Sequence, residues 1–520
     1  MRSVYLFCAL AAGVVSSAGP VAASSYEQQL VDLALQQKLD GQRTWDVLLQ
    51  YRPKSSGRES VIDDRRFFLA PSGKTDPAAE LEATIRGFFV SATAGDEHPR
   101  CRFPARYEWL QKELGIDGAQ LPAPVCAKLD EALEAVDPRS AVLVFPAAHN
   151  NGPASMFGHT LLRIGSSYRS ELLTYAVNYA AHTTDSNGLV YAFKGLFGYY
   201  PGYYSTLPYY EKVKEYSDLE HRDVWEYSLK LSPDEVRRMV LHIWELQGIS
   251  SDYYFFDENC SFMLLFLMES ARPELQLTNE YWDRWGFWVI PADTISTVRR
   301  AGLIDRVNYR PAQATRIRHR AKLLSDDAQQ RALDVALRRR TAPAEAGSGE
   351  GIEERRQVLD LAAEFVQYRY SRRELSKEEF QAQFRSILTA RSGLGAGDAA
   401  ADVPVPPQPE EGHLPGKMTS GGGIRREDPY LELTWQPAYH DLLDPDAGYT
   451  DGAQINFFST SGRYYPGKNS FQLQSFHPVD IISLAPRDRF FQPVSWKVAG
   501  GLDRKPFADG SDRLFLRLNT

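Results

Sequence analysis

One stretch of the chain combines residue types that can do covalent chemistry. Cys260 stands in Phe255-Phe256-Asp257-Glu258-Asn259-Cys260-Ser261-Phe262-Met263-Leu264-Leu265, where a polar cluster gives way to an apolar helix with Asn259 or Asp257 as its expected cap. A thiol in the first turn of a helix feels the positive end of the helix dipole and unpaired backbone N–H groups, and both favour the thiolate. The same N–H groups can hold the oxyanion that forms when a thiolate adds to a carbonyl. Such a nucleophile needs a base. Of the ten histidines, His159 is the best placed, in Ser155-Met156-Phe157-Gly158-His159-Thr160-Leu161-Leu162-Arg163 at the head of an expected strand. There a rigidly held imidazole can face a helix end packed on the sheet. His149, His182 and His221 fall in expected loops or at element edges. A third polar group usually orients the imidazole. Asn178, an amide amid Tyr175, Ala176, Val177 and Tyr179, falls roughly opposite His159 if the hairpin turns near Tyr168. Each residue also has a plainer role open to it: a buried structural thiol, a half-buried sheet histidine, a strand asparagine making a structural hydrogen bond.

The positioning elements follow from the rest of the chain. Arg2, the apolar run from Val4 to Val15 and the small residues Val21-Ala22-Ala23 read as a signal peptide cut after Ala23. The run is shorter than the ~20 residues of a membrane span. Export removes Cys8 and leaves Cys101, Cys126 and Cys260. In an oxidising compartment two should pair. Cys101 and Cys126 are close in sequence, bracket a proline-flanked helical segment and form the natural disulfide, worth roughly 3 kcal/mol in the chain-entropy model. Cys260 is then an unpaired thiol that calls for a chemical explanation.

At 520 residues, with 43% hydrophobic, the chain should form two to four domains. A net charge of −8 argues against a nucleic-acid binder. After the signal peptide at 1–23, residues 24–136 read as a helical domain, with Asp76 capping a helix that opens at Pro77. Residues 137–305 read as α+β: strands at Ala141–Pro146, Thr160–Gly165, Glu171–Tyr179 and Val224–Leu229, then a helix opening at Ser232-Pro233-Asp234-Glu235 and a second from near Asn259. Residues 198–210 read as a tyrosine-rich loop suited to lipid headgroups or glycans, or to covering the core. Residues 306–395 are charged and helical, and 396–427 read as a Gly/Pro-rich linker, with Met418–Gly423 as flexible chain. Residues 428–520 alternate apolar and polar in about five expected strands, an antiparallel sheet that is either a small domain or the incomplete start of an outer-membrane β-barrel.

The order histidine strand, polar residue on the next strand, cysteine at a helix start resembles the permuted branch of the papain-like, NlpC-type superfamily. More closely, Ser155-Met156-Phe157-Gly158-His159-Thr160, Tyr175-Ala176-Val177-Asn178-Tyr179, Arg222-Asp223-Val224-Trp225-Glu226-Tyr227 and Asp257-Glu258-Asn259-Cys260 resemble the Lnb N-terminal periplasmic domain family over about residues 136–300. The resemblance implies a cofactor-independent Cys/His thiol enzyme acting on acyl groups in the bacterial envelope, since the family's namesake is a lipoprotein N-acyltransferase. The expected protein is periplasmic and outer-membrane-associated through its C-terminal region. Its expected substrate is a lipid, lipoprotein or muropeptide. A peptidoglycan amidase or peptidase and a non-catalytic envelope scaffold are the competing expectations.

Overall fold

The computed structural model describes residues 25–148, 156–168, 170–185, 187–219, 222–282, 288–339, 351–396, 402–509 and 511–520. The expected signal peptide, His149 and His221 lie outside these residues.

The N-terminal region is mostly helical. Its helix Pro77–Gly87 starts where the sequence predicts: Pro77 takes the first turn and Asp76 accepts the Ala79 N–H at 3.0 Å. It differs from the sequence reading at a hairpin formed by β1 (Tyr51–Lys54) and β2 (Gly57–Ser60). Gln50, at φ +52, ends the helix Arg43–Leu48, and Gly57, at φ +97, closes the turn. The Cys101–Cys126 disulfide, with Cα atoms 5.2 Å apart, ties the helix Pro99–Arg102 to the cap of the helix Ala127–Val136.

The central region is built on β3 (Ser140–Pro146), β4 (Leu161–Gly165), β5 (Tyr175–Ala181), β6 (Tyr200–Pro208), β7 (Val224–Leu229), β8 (Ser250–Tyr253) and β9 (Ile304–Arg310). These pair antiparallel in the order β8-β6-β5-β4-β3-β7-β9. Both faces are covered, which is why β3 and β4 are near-continuous apolar runs. Leu143, Phe145, Leu162, Val177 and Tyr179 share a core with the helices Pro233–Glu245 and Cys260–Ala271. Val142, Val144, Leu161 and Ala176 pack against Tyr209 and Tyr216 on the other side. The helix Pro233–Glu245 opens with a full capping box between Ser232 and Glu235. Two sequence expectations shift here. Glu171–Leu173 forms a 3-10 turn, so the strand after it starts at Tyr175. The tyrosine-rich segment is not a loop. Most of it is strand β6, on which Tyr200, Gly202 and Tyr204 alternate inward. A side chain at Gly202 would strike the Tyr179 ring.

Helices Gln313–Lys322, Asp326–Ala336, Ile352–Ser371 and Lys377–Ser392 form a separate core. The C-terminal region is a sheet of β10 (Lys417–Arg425), β11 (Asp428–Gln436), β12 (Ala438–His440), β13 (Ala453–Tyr465), β14 (Ser470–Ser483), β15 (Trp496–Pro506) and β16 (Asp512–Asn519). Among the described residues it has seven strands in the order β10-β11-β13-β14-β15-β16, with β12 paired to β13, and it is not closed into a barrel. The sequence reading of Met418–Gly423 as flexible linker is corrected: these residues pair in register with β11, Gly421 opposite Glu432. Their glycines hid the strand, because a sheet partner can hold a backbone whose own propensity is poor. This sheet docks on the central region through Met156, Phe157, Phe256 and Ile290 on one side and Ala438, Ile455, Phe457 and Ile481 on the other.

Candidate active site

Three elements meet at Cys260. The first is the helix Cys260–Ala271, buried along its whole length, with Cys260 at its first position and 4% exposed. Asn259 caps it: its Oδ1 accepts the N–H groups of Ser261 (3.0 Å) and Phe262 (3.2 Å). Its Nδ2 donates to the carbonyls of Phe255 (3.0 Å) and Val289 (2.7 Å), fixing the cap to two separate segments. The second element is the turn into β4, which carries His159. Gly158 has φ +89, and a Cβ there would collide with the Phe145 ring, so only glycine fits. The His159 N–H reaches the Pro146 carbonyl at 3.3 Å. The third is β5, carrying Asn178.

The structure brings the three predicted residues together. His159 Nε2 donates to Asn178 Oδ1 at 2.6 Å, so Nδ1 is the ring nitrogen left for the thiol, and the imidazole and the Cys260 thiol are hydrogen-bonded. By β-sheet register Leu162 faces Val177, so Asn178 is not directly opposite His159; it reaches back along the strand to the imidazole.

Electrostatics shift both groups toward their charged forms. Burial alone would raise the Cys260 thiol, but the charge and hydrogen bond of His159, the Thr160 backbone N–H and the Tyr253 hydroxyl together bring it down to about 7. Burial works against the charged imidazole of His159 too, yet Cys260 and Asn178 outweigh it and raise its pKa, while Arg222 opposes them. Arg222 is buried, and its guanidinium donates to the carbonyls of Pro146 (2.8 Å) and Ala147 (2.7 Å), pinning the chain beneath His159.

Backbone amides are arranged differently from the sequence expectation. Those of Ser261 and Phe262 are committed to Asn259, so they do not face an incoming carbonyl. The Cys260 N–H points instead at Tyr253 Oη, 3.3 Å away. The donors on the sulfur besides the imidazole are the Thr160 N–H and the Tyr253 O–H. Sequence reasoning missed Tyr253 because Tyr253-Tyr254-Phe255-Phe256 looks like any aromatic run; only the pairing of β8 with β6 aims its hydroxyl at the helix start. His182 lies apart, with its backbone N–H on the Pro201 carbonyl and its ring beside Tyr203.

A family model described as the Lnb N-terminal periplasmic domain matches residues 128–301, the segment that carries all three residues. Residues 128–301 belong to the Lnb N-terminal periplasmic domain family. Three models of domains of unknown function match the flanks, at residues 37–113, 307–403 and 406–520. No curated protein and no solved structure matches the chain. The Lnb domain supports a periplasmic location and an envelope-associated protein. Among the described residues no helix is long and apolar enough to cross a membrane.

Proposed function

We propose that the Lnb domain of this chain is a thiol acyltransferase or hydrolase of the cell envelope, built on a permuted papain-like plan. The observation that carries this reading is the hydrogen-bonded series Asn178, His159, Cys260, with the thiol at a helix start. In the first half-reaction the Cys260 thiolate adds to an ester, thioester or amide carbonyl carbon. The Tyr253 O–H, which sits on the Cys260 sulfur, stabilises the oxyanion. The intermediate collapses, the bond from the carbonyl carbon to the leaving group breaks, and the imidazolium of His159 protonates that group. In the second, His159 takes a proton from an amine or water as it attacks the thioester, and the thiolate leaves. An amine makes the protein a transferase, water a hydrolase.

A second observation favours an outer-membrane setting for the C-terminal sheet. Its strands are amphipathic in the inverse sense. Leu431, Leu433, Leu516 and Leu518 are exposed, while the alternate positions hold the ion pairs Glu432–Arg463 (2.6 Å) and Asp503–Arg517 (3.3 Å). Apolar-out, polar-in alternation is the pattern of a strand facing lipid. Arg425 on β10 pairs with Asp512 at the start of β16 (2.7 Å), so the two edges of the sheet approach at one end. We take this sheet to be part of an outer-membrane β structure that holds the Lnb domain near lipid and lipoprotein substrates.

The test is mass spectrometry of the full chain after brief exposure to a thiol-selective acyl probe, for wild type, Cys260→Ser and His159→Ala. Labelling at Cys260 that His159→Ala weakens supports the pair. Labelling no faster than that of a cysteine peptide supports a non-catalytic scaffold. Turnover of muropeptides in place of acylated substrates would make the protein a peptidoglycan amidase or peptidase.

A further inference from the structure

The N-terminal region does more than flank the Lnb domain; it grips the segment that carries the nucleophile. That segment runs from β8 through 254–259 to Cys260, and the N-terminal region contacts it on both sides of Tyr253. On the upstream side, the chain just after β2 runs alongside the approach to β8. Asp63 Oδ2 accepts the Asp252 N–H at 2.7 Å, the Asp64 N–H donates to the Ser250 carbonyl at 3.1 Å, and Arg66 Nη2 donates to the Gly248 carbonyl at 2.7 Å. On the downstream side, Arg52 of β1 reaches Glu258, with Nη1 and Oε1 2.5 Å apart. Glu258 is 3% exposed, adjoins the cap residue Asn259 and lies two positions before the thiol. Between the two grips sits Tyr253, whose hydroxyl meets the Cys260 N–H.

A carboxylate buried so close to the nucleophile is costly unless it is paired and hydrogen-bonded. Its position makes no use of the Lnb domain's own cations: the partner is Arg52, far away in sequence and on a different region. Burial pushes Glu258 up to about 8, with Arg52 pulling against it. The same N-terminal region makes a second buried ion pair to the same helix, Arg43 with Glu269 at 2.5 Å, near the helix's other end, which gives a matched contact that touches nothing around the thiol.

We infer that Arg52 and Asp63 are positioning residues, by which the N-terminal region sets the spacing between Tyr253, Cys260 and the Thr160 N–H and thereby the readiness of the thiol. This rests on the reading of Cys260 as a nucleophile. The hydrogen bonds that hold the thiolate are steep in distance and angle, so a slackened loop loses them before the fold is lost.

The experiment measures the rate of Cys260 alkylation by iodoacetamide against pH in the full chain, with thermal midpoints alongside. The variants are wild type, Arg52→Gln, Arg52→Lys, Asp63→Ala and, as the matched control, Arg43→Gln. Expected for Arg52→Gln and Asp63→Ala is a titration midpoint displaced upward by about one unit, hence a roughly tenfold slower reaction well below the midpoint, with Arg52→Lys recovering most of it. Arg43→Gln should lower the thermal midpoint at least as much while leaving the titration in place. Equal displacement by Arg43→Gln and Arg52→Gln, or none by Arg52→Gln in a folded protein, would overturn the inference. A wild-type midpoint at the value of a free cysteine would instead defeat the reading of Cys260 itself.

Discussion

The carboxamide of Asn178 accepts the Nε2–H of His159 at 2.6 Å, and this one bond fixes which ring nitrogen faces the Cys260 thiol. With Nε2 committed, the imidazole presents Nδ1 to the sulfur. Replacing Asn178 with alanine frees the ring to rotate and to exchange tautomers. Asn178→Ala should slow Cys260 alkylation at neutral pH about tenfold, in line with the loss of a hydrogen bond to a charged group of ~1.5–3 kcal/mol reduced by water entry. Asn178→Asp should retain most of the rate, since a carboxylate still accepts from Nε2. Alkylation kinetics followed by intact-mass spectrometry check both.

The thiol predicts a pH signature of stability as well as of rate. Its folded value of about 7 lies below the 9.0 of an unperturbed cysteine, for the reasons of His159, Thr160 and Tyr253 given above. Between those values the unfolded chain binds more protons at this site than the folded one, so this site makes stability rise with pH from about 7 and level off above 9. Cys260→Ser should abolish that increment. Chemical denaturation of wild type and variant across pH 6–10, compared as a difference, reads this increment less the opposing His159 contribution, which also depends on Cys260.

The disulfide crosses the N-terminal region alone, so its removal should weaken that region first. Cys101→Ser with Cys126→Ser should cost ~2–4 kcal/mol and lower the thermal midpoint. If the N-terminal region loosens before the rest, the Cys260 titration should move upward under reducing conditions well below the main melting transition. Reductant titration with the alkylation readout measures this.

For the C-terminal sheet, the inverted pattern predicts partition into bilayers. Wild-type chain refolded with vesicles of outer-membrane lipid should float with them and resist extraction by alkaline carbonate. Leu433→Asp combined with Leu516→Asp places charges on the exposed apolar face at ~2 kcal/mol or more each near a bilayer centre, and should shift the protein to the soluble fraction. A wild-type chain that stays in the soluble fraction would point to a sheet that works in water, and equal flotation of both proteins to membrane contact through another surface.

Much of the site was legible because its signals are local. A polar cap before an apolar run marks the helix start at Asn259 and Cys260, the strand turn places His159, and an amide within an apolar strand marks Asn178. Cysteine parity, their closeness in sequence and the proline-flanked segment between them singled out Cys101 and Cys126. What was not legible depends on partners distant in sequence. Tyr253 acquires its role only when β8 joins the sheet beside β6. Arg52 reads as a residue after a helix, and its function comes from Glu258 more than two hundred positions away. β6 looked like a loop because tyrosine, glycine and proline alternate there without an aliphatic pattern, and β10 because its glycines carry no side chain to show a period. In both, neighbouring strands supply what local propensity lacks.

The order of the cysteines has a kinetic meaning for a chain threaded through a membrane N-terminus first. Cys101 and Cys126 emerge into the oxidant early and close together, while Cys260 is still on the other side of the barrier. Once they are joined, no free thiol remains upstream among the described residues to capture the late arrival. Sequence order alone therefore shields the reactive sulfur from mispairing, and a rearrangement that moved the Lnb segment ahead of that pair would forfeit the shield with every contact of the folded protein unchanged.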